Sequence, residues 1–205
     1  MSVLKATKNN IMAAAKIVKR GGLVVYPTET VYGLGCNPLD AQAVKRVLDV
    51  KGDRNKPLPV LAASMEAGER VAFISQNGKK LAAKFWPGPL TMVFPKKSSL
   101  PDIVTFNHDS VGLRIPDNDV ALQLISLCGG LLIGSSANIT GEKPPRNVQE
   151  ISENLKGIVD LVLDGGSAVQ GMPSTVVDLT LDKLSILREG PISLKEILDD
   201  LAFGD

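Results

Sequence analysis

The apolar residues of this chain come in short runs bounded by Pro, Gly and small hydroxyl residues. LVVY (23–26) meets PTETVYGLG, LPVLA (58–62) follows KGDRNKP, LTMVF (90–94) follows WPGP, and LLIG (131–134) meets SSANITG. Runs this short and rich in Val, Leu and Ile fit buried strands. They fall well below the ~20 apolar residues that span a bilayer. VGLRIP (111–116) predicts a further strand, and VDLVLDGG, STVVDLT and LSILREG predict three more near the end.

Helical patterns separate the early runs. Asn9 or Asn10 is expected to cap a helix with Ile11, Ala14, Ala15 and Val18 on one face, ended by Gly21 and Gly22. Asp40 caps a second, reaching about Val50 through Val44, Val47 and Leu48. Residues 65–72 and 78–85 read as helical, and Asn118 starts a helix with Leu122, Leu124, Ile125 and Leu127 inward. Residues 147–155 form another, and Ser193 with Glu196 makes a capping box for the last. KKSSLPDIVTFNHDS (96–110) has no clear period and is expected to be an ordered surface connection. Strands that alternate with helices early and cluster late predict a mixed α/β sheet.

Composition narrows the function classes. The chain has 205 residues, enough for one large domain, and its 44% hydrophobic and 22% charged content is that of a soluble globular protein. A net charge of +1 gives no wholesale basic surface for nucleic acid. Aromatics at 4% leave few platforms for stacking bases. Cys36 and Cys128 form no CxxC pair and read as free core thiols, and His108 is the single histidine, expected in a loop or on the surface. The N-terminal MSVLKATKNN has no apolar signal core, so a cytoplasmic location is expected.

Four segments place chemistry beside the strand patterns. In PTETVYGLG, Thr28 and Thr30 could bond a small polar substrate and Tyr32 could wall a pocket; the same residues could form a Thr-capped turn. Lys51, Arg54 and Lys56 could surround a polyphosphate, or belong to a solvated loop. SSANITG carries four polar side chains in six residues, more than a helix cap requires, and could serve phosphate or ribose. Arg114 inside an apolar strand needs a partner, either an internal carboxylate or that of a substrate. Ser174 and Arg188 are weaker signals. Nothing fits GxxxxGK[ST], and no GxGxxG follows a strand, so a nucleotide would be held by another architecture.

In this order PTETVYGLG, KGDRNKP, PGPLT, VGLRIP, SSANITG, STVVD and LREG resemble the YrdC family of threonylcarbamoyl-AMP synthases, from about residue 10 to about residue 190. The resemblance implies an open, twisted mixed α/β sheet with flanking helices and a concave positive cleft. It implies a nucleotidyltransferase that forms L-threonylcarbamoyladenylate and pyrophosphate from L-threonine, bicarbonate and ATP. A tRNA-modifying complex would then use the product to make threonylcarbamoyladenosine. Lys51, Arg54 and Lys56 would hold the phosphates as the catalytic set, with Mg2+ bound through the phosphates and no metal on protein ligands. Thr30, Arg114 and Ser174 would bind threonine. Lys51, Arg54, Ser136, Asn138 and Arg188 would contact ATP.

One departure from the family pattern stands out: Lys-x-Arg is usual there, whereas Asp53 follows Lys51-Gly52 and Arg54 comes one position later. The chain resembles the short, single-domain form, 1–205. Two rivals are a carbamoyltransferase module, as in hydrogenase maturation factors, and a double-stranded RNA or tRNA binder. The first usually sits in a much longer chain, and the near-neutral charge weighs against the second, although weak RNA binding is compatible with catalysis.

Overall fold

The computed structural model describes residues 2–52, 56–181 and 184–202. The strands are β1 (Ser2–Lys5), β2 (Val24–Tyr26), β3 (Gly33–Gly35), β4 (Val60–Ala62), β5 (Leu90–Pro95), β6 (Ser110–Arg114), β7 (Leu131–Ile133), β8 (Ser135–Ser136), β9 (Leu161–Asp164), β10 (Thr175–Asp178) and β11 (Ser185–Arg188). The helices are α1 (Lys8–Lys19), α2 (Ala41–Lys51), α3 (Met65–Glu69), α4 (Gln76–Phe85), α5 (Asp102–Thr105), α6 (Asp119–Leu127), α7 (Glu153–Ile158) and α8 (Leu194–Ala202). The mixed α/β class with flanking helices holds.

The strands divide between two open sheets. One runs β1-β9-β2-β3-β8 and the other β11-β10-β5-β6-β4-β7. Both mix parallel and antiparallel pairs: β9 is parallel to β1 and β2, while β3 is antiparallel to β2 and β8. The apolar run of 131–134 joins the sheets. Its first part is β7, paired antiparallel to β4; after Gly134 it continues as β8, paired to β3. Gly134 is required at this seam, because a Cβ there would lie 2.6 Å from Cγ of Leu61.

Two strands escape any reading by periodicity. GLG of β3 has no alternating side chains; its backbone lies against the ring of Tyr26, where a Cβ on either glycine would come within 2.8 Å. The ring is fixed by its hydroxyl, which donates to the carbonyl of Ile133 at 2.9 Å. β1 is short and mostly exposed, and is held by parallel pairing to β9 and by Lys5 with Asp164 at 2.9 Å.

The core has two parts. Val25, Tyr32, Leu34, Met92, Leu113 and Ile133 pack between the sheets with Val44 and Val47 of α2. Ile11, Ala14 and Val18 of α1 pack with Leu124 and Ile125 of α6 over Val24 and Tyr26. Each fully buried aliphatic side chain contributes roughly 1.5–3 kcal/mol.

Several local expectations change. The cap of α1 is Thr7, whose hydroxyl accepts from Asn10 N, while the Asn10 side chain donates to the Lys5 carbonyl. Helix α6 turns Ala121, Leu124 and Ile125 inward; Leu122 is half-buried and Leu127 is 40% exposed. Residues 147–155 split into a 3-10 turn (Val148–Glu150) and α7, with Ser152 as a fresh cap. Residues 96–110 are not merely superficial: Leu100, Val104 and Thr105 are buried, and Leu58 N donates to Val104 O. The Asp40 cap and the Ser193–Glu196 capping box form as expected. Cys36 is buried, Cys128 is half-buried, and both are free.

Candidate active site

The seam at Gly134 is where ends of both sheets converge. β2 ends at Tyr26 and releases 27–32; β6 ends at Arg114; β7 crosses into β8; β10 begins at Thr175. Strand pairing sets Arg114 beside Leu61 and Ser136 beside Gly33. These ends enclose a cavity of about 150 Å3 whose wall includes Thr30, Tyr32, Arg114, Ser136, Ser174 and Arg188. A void of about this size accepts a small organic molecule such as benzene.

Polar side chains on this wall are linked to one another. Arg114, 5% exposed, donates from Nη1 to Thr30 Oγ1 at 2.9 Å. Thr30 Oγ1 in turn lies 2.9 Å from Thr28 Oγ1, and Thr28 donates to the Val31 carbonyl at 2.6 Å. Across the cavity, Ser174 Oγ and Thr91 Oγ1 share a hydrogen bond of 2.7 Å, and Arg188 donates to Ser174 O and Oγ at 3.0 and 3.1 Å. Tyr32 walls one side, its hydroxyl donating to Gly166 O and accepting from Gly165 N.

Burial and charge set the electrostatics. Loss of hydration pulls the Arg114 pKa below the ordinary guanidinium value, and Glu29 and Tyr26 oppose that shift. Burial and then the nearby Arg114 charge pull Arg188 down as well. Both remain cations at neutral pH. Burial pushes the Tyr26 phenol up. The guanidinium of Arg114 has five N–H donors. Among the described residues it makes one hydrogen bond, to Thr30, so most of its donor capacity is uncommitted. Ser135 Oγ, also on this wall, is buried and has no hydrogen-bond partner among the described residues.

A second cavity, of about 470 Å3, adjoins the first and shares Pro59, Thr91 and Arg188 with it. Lys56, His108, Ser110 and Asp178 also line it. His108 is an exposed loop residue, as its sequence context suggested.

The expected residues therefore separate into groups. Thr30, Arg114, Ser174, Ser136 and Arg188 meet at the first cavity, and Lys56 lies on the second. Lys51 is on the wall of neither. It is 1% exposed, and its ammonium donates to the carbonyls of Ser136 (2.8 Å) and Asn138 (2.5 Å), with Asn138 Oδ1 at 3.4 Å. Asn138 is buried and donates from Nδ2 to Ile139 O and Glu142 O, so its amide shapes the loop. Arg54 lies outside the described residues. Thr91, Ser135 and Glu29 were not singled out for roles. Thr91 is hidden in an apolar strand pattern, and Ser135 and Glu29 stand beside hydroxyls with stronger apparent claims.

Comparison with known proteins gives this geometry a family. The model of the Sua5/YciO/YrdC family, described as telomere recombination, matches residues 16–190. The chain is 42% identical over 189 residues to threonylcarbamoyl-AMP synthase of Pyrococcus abyssi, an alignment covering 91% of this chain and 56% of that protein. It is 36% identical to a putative threonylcarbamoyl-AMP synthase of Methanocaldococcus jannaschii, covering 89% of this chain and 86% of the relative. Among solved structures, P. abyssi Sua5 complexed with L-threonine superposes with a TM-score of 0.95 at 38% identity, over 98% of this chain and 61% of that one. This chain thus spans little more than half the length of its P. abyssi relative. With a family match across most of its length and the same fold as Sua5, the chain belongs to the Sua5/YciO/YrdC family.

Proposed function

We propose that this protein is an L-threonylcarbamoyladenylate synthase, a nucleotidyltransferase that joins L-threonine, bicarbonate and ATP and releases pyrophosphate. The observation that carries the reading is the uncommitted Arg114 guanidinium in a cavity of amino-acid size, with the Thr30 and Ser174 hydroxyls on the same wall. The relatives' names and the threonine bound to P. abyssi Sua5 support the same substrate.

In this reading Arg114 takes the threonine carboxylate through paired N–H···O bonds, and Thr30 and Ser174 fix its polar groups. The threonine amine captures bicarbonate as a carbamate with loss of water. A carbamate oxygen then attacks the ATP α-phosphorus, and pyrophosphate leaves. Such a transfer depends on positioning and charge neutralisation and needs no covalent nucleophile. Arg188, shared by both cavities, and Lys56 on the larger one would face the phosphates, with Ser136 near the nucleotide. Lys51 and Asn138 would act through the 135–141 loop that they shape. Arg54 keeps the phosphate role implied by the family. Together these cations would make the cleft positive.

Among the described residues, no group of His, Cys, Asp and Glu side chains comes together to hold a metal. Magnesium belongs to the reading as the counter-ion of the phosphates, and no step is assigned to it. The wider reading is one catalytic domain, 1–205, working in the cytoplasm and supplying a tRNA-modifying transferase.

Pyrophosphate release tests the proposal. Purified protein with ATP, magnesium and bicarbonate should release pyrophosphate only when L-threonine is added. Release at the same rate without threonine would overturn the substrate assignment, and no release from a protein that binds ATP would overturn the reaction.

A further inference from the structure

Glu29 is 6% exposed, and among the described residues neither of its carboxylate oxygens has a hydrogen-bond partner. Its Oε1 lies 3.7 Å from Arg114 Nη1, beyond hydrogen-bond distance but close for two charges. Burying a carboxylate is costly unless it is paired and hydrogen-bonded. Here the usual bonds are missing, so its oxygens tie no backbone together; what remains is its charge.

The cavity wall shows where that charge acts. Among the described residues, the ionised side chains lining the cavity are Arg114 and Arg188, and no acid lines it. A ligand carboxylate is welcome there, but a ligand ammonium would meet two guanidiniums. Glu29 lies 3.7 Å from Arg114 without lining the cavity itself, and its charge offsets that repulsion. In a dry site the offset is larger than in water.

We propose that Glu29 is a specificity-determining residue that makes the cavity select a zwitterionic α-amino acid over a hydroxy acid of the same shape. The inference rests on the reading of this cavity as the amino-acid site and adds to it the source of charge discrimination. Glu29 acts by its field on Arg114 and on the bound ammonium, not by contact. It weakens the pull of Arg114 on a lone carboxylate and lowers the penalty on a nearby amine. Removing the charge should therefore lower the affinity of the amino acid relative to the hydroxy acid.

The test is a calorimetric titration of L-threonine and of 2,3-dihydroxybutyrate, its deaminated counterpart, into wild-type and Glu29→Gln protein. Wild type should prefer threonine by about tenfold or more, the worth of one charge interaction of modest strength. In Glu29→Gln the carboxylate gain is common to both ligands and the ammonium penalty falls on threonine alone, so the preference for threonine should fall by about tenfold. Equal weakening of both ligands, or no change in either, would overturn the inference. Equal affinity of wild type for both ligands would overturn it without any variant. If wild type binds neither ligand, the amino-acid reading of the cavity falls, and the inference with it.

Discussion

Arg114 and Lys51 are both cations taken out of water, 5% and 1% exposed, yet their surroundings differ in kind. Arg114 ends a strand at a cavity, holds one threonine hydroxyl, and leaves the rest of its guanidinium toward the void. Lys51 ends a helix and turns its ammonium onto the carbonyls of the 135–141 loop. The physical lesson is that burial alone does not mark a ligand site. A buried cation costs free energy in either place; at Lys51 the loop carbonyls meet that cost, whereas at Arg114 a threonine hydroxyl and a carboxylate without its own hydrogen bonds meet it in part. The unfinished coordination points to a ligand.

Breaking each member of the pair should separate binding from architecture. The largest effect is expected for Arg114→Ala, which should cost roughly 2–5 kcal/mol of threonine binding, a rise of thirtyfold or more in the KM for threonine. It also strands Glu29 as an unpaired buried charge, so melting should fall too. Adding Glu29→Gln should restore the melting temperature without restoring threonine use. Recovery of both together would mean that Arg114 matters only for stability.

Next comes Lys51→Met, which orphans the carbonyls of Ser136 and Asn138. A loss of roughly 3 kcal/mol is expected, lowering the Tm by about 6–12 °C. A variant that melts like wild type but fails to use ATP would make Lys51 a phosphate ligand after all.

The smallest effects sharpen the contrast. Ser174→Ala removes a neutral hydroxyl that bonds Thr91 and Arg188, and should change threonine kcat/KM by about three- to tenfold, from a bond worth roughly 0.5–1.5 kcal/mol. Ser135→Ala removes an unpartnered hydroxyl. The unliganded protein should melt at the same temperature or slightly higher, because no bond is lost, while stabilisation by bound threonine shrinks. A clear drop in the unliganded Tm would show that Ser135 has a partner within the fold.

Much of this was legible in the residues themselves. The runs at 23–26, 90–94 and 131–134 announced buried strands, and Arg114 stood out because a charge within VGLRIP needs an answer. The strands of Gly33–Gly35 and Ser135–Ser136 were not legible, since glycines and a pair of serines carry no period, and both elements exist by pairing with distant chain. The crossing of 131–136 from one sheet to the other passes through Gly134, whose need for a missing Cβ depends on Leu61 lying across it. The inward turn of Lys51 was not legible for a related reason: a lysine entering a polar loop can turn outward or inward, and the carbonyls that draw it inward lie more than eighty residues along the chain. Glu29 was visible as a carboxylate, but its pairing with Arg114 depends on how β2 and β6 are brought together.

The cavity at the Gly134 seam is proposed as the amino-acid site. Amide hydrogen exchange measured with and without L-threonine tests it most directly. Added protection should concentrate in residues 27–35, 111–116, 134–137 and 173–176, the segments that meet at the seam. Protection confined to other regions, or no change at threonine concentrations that drive turnover, would contradict it.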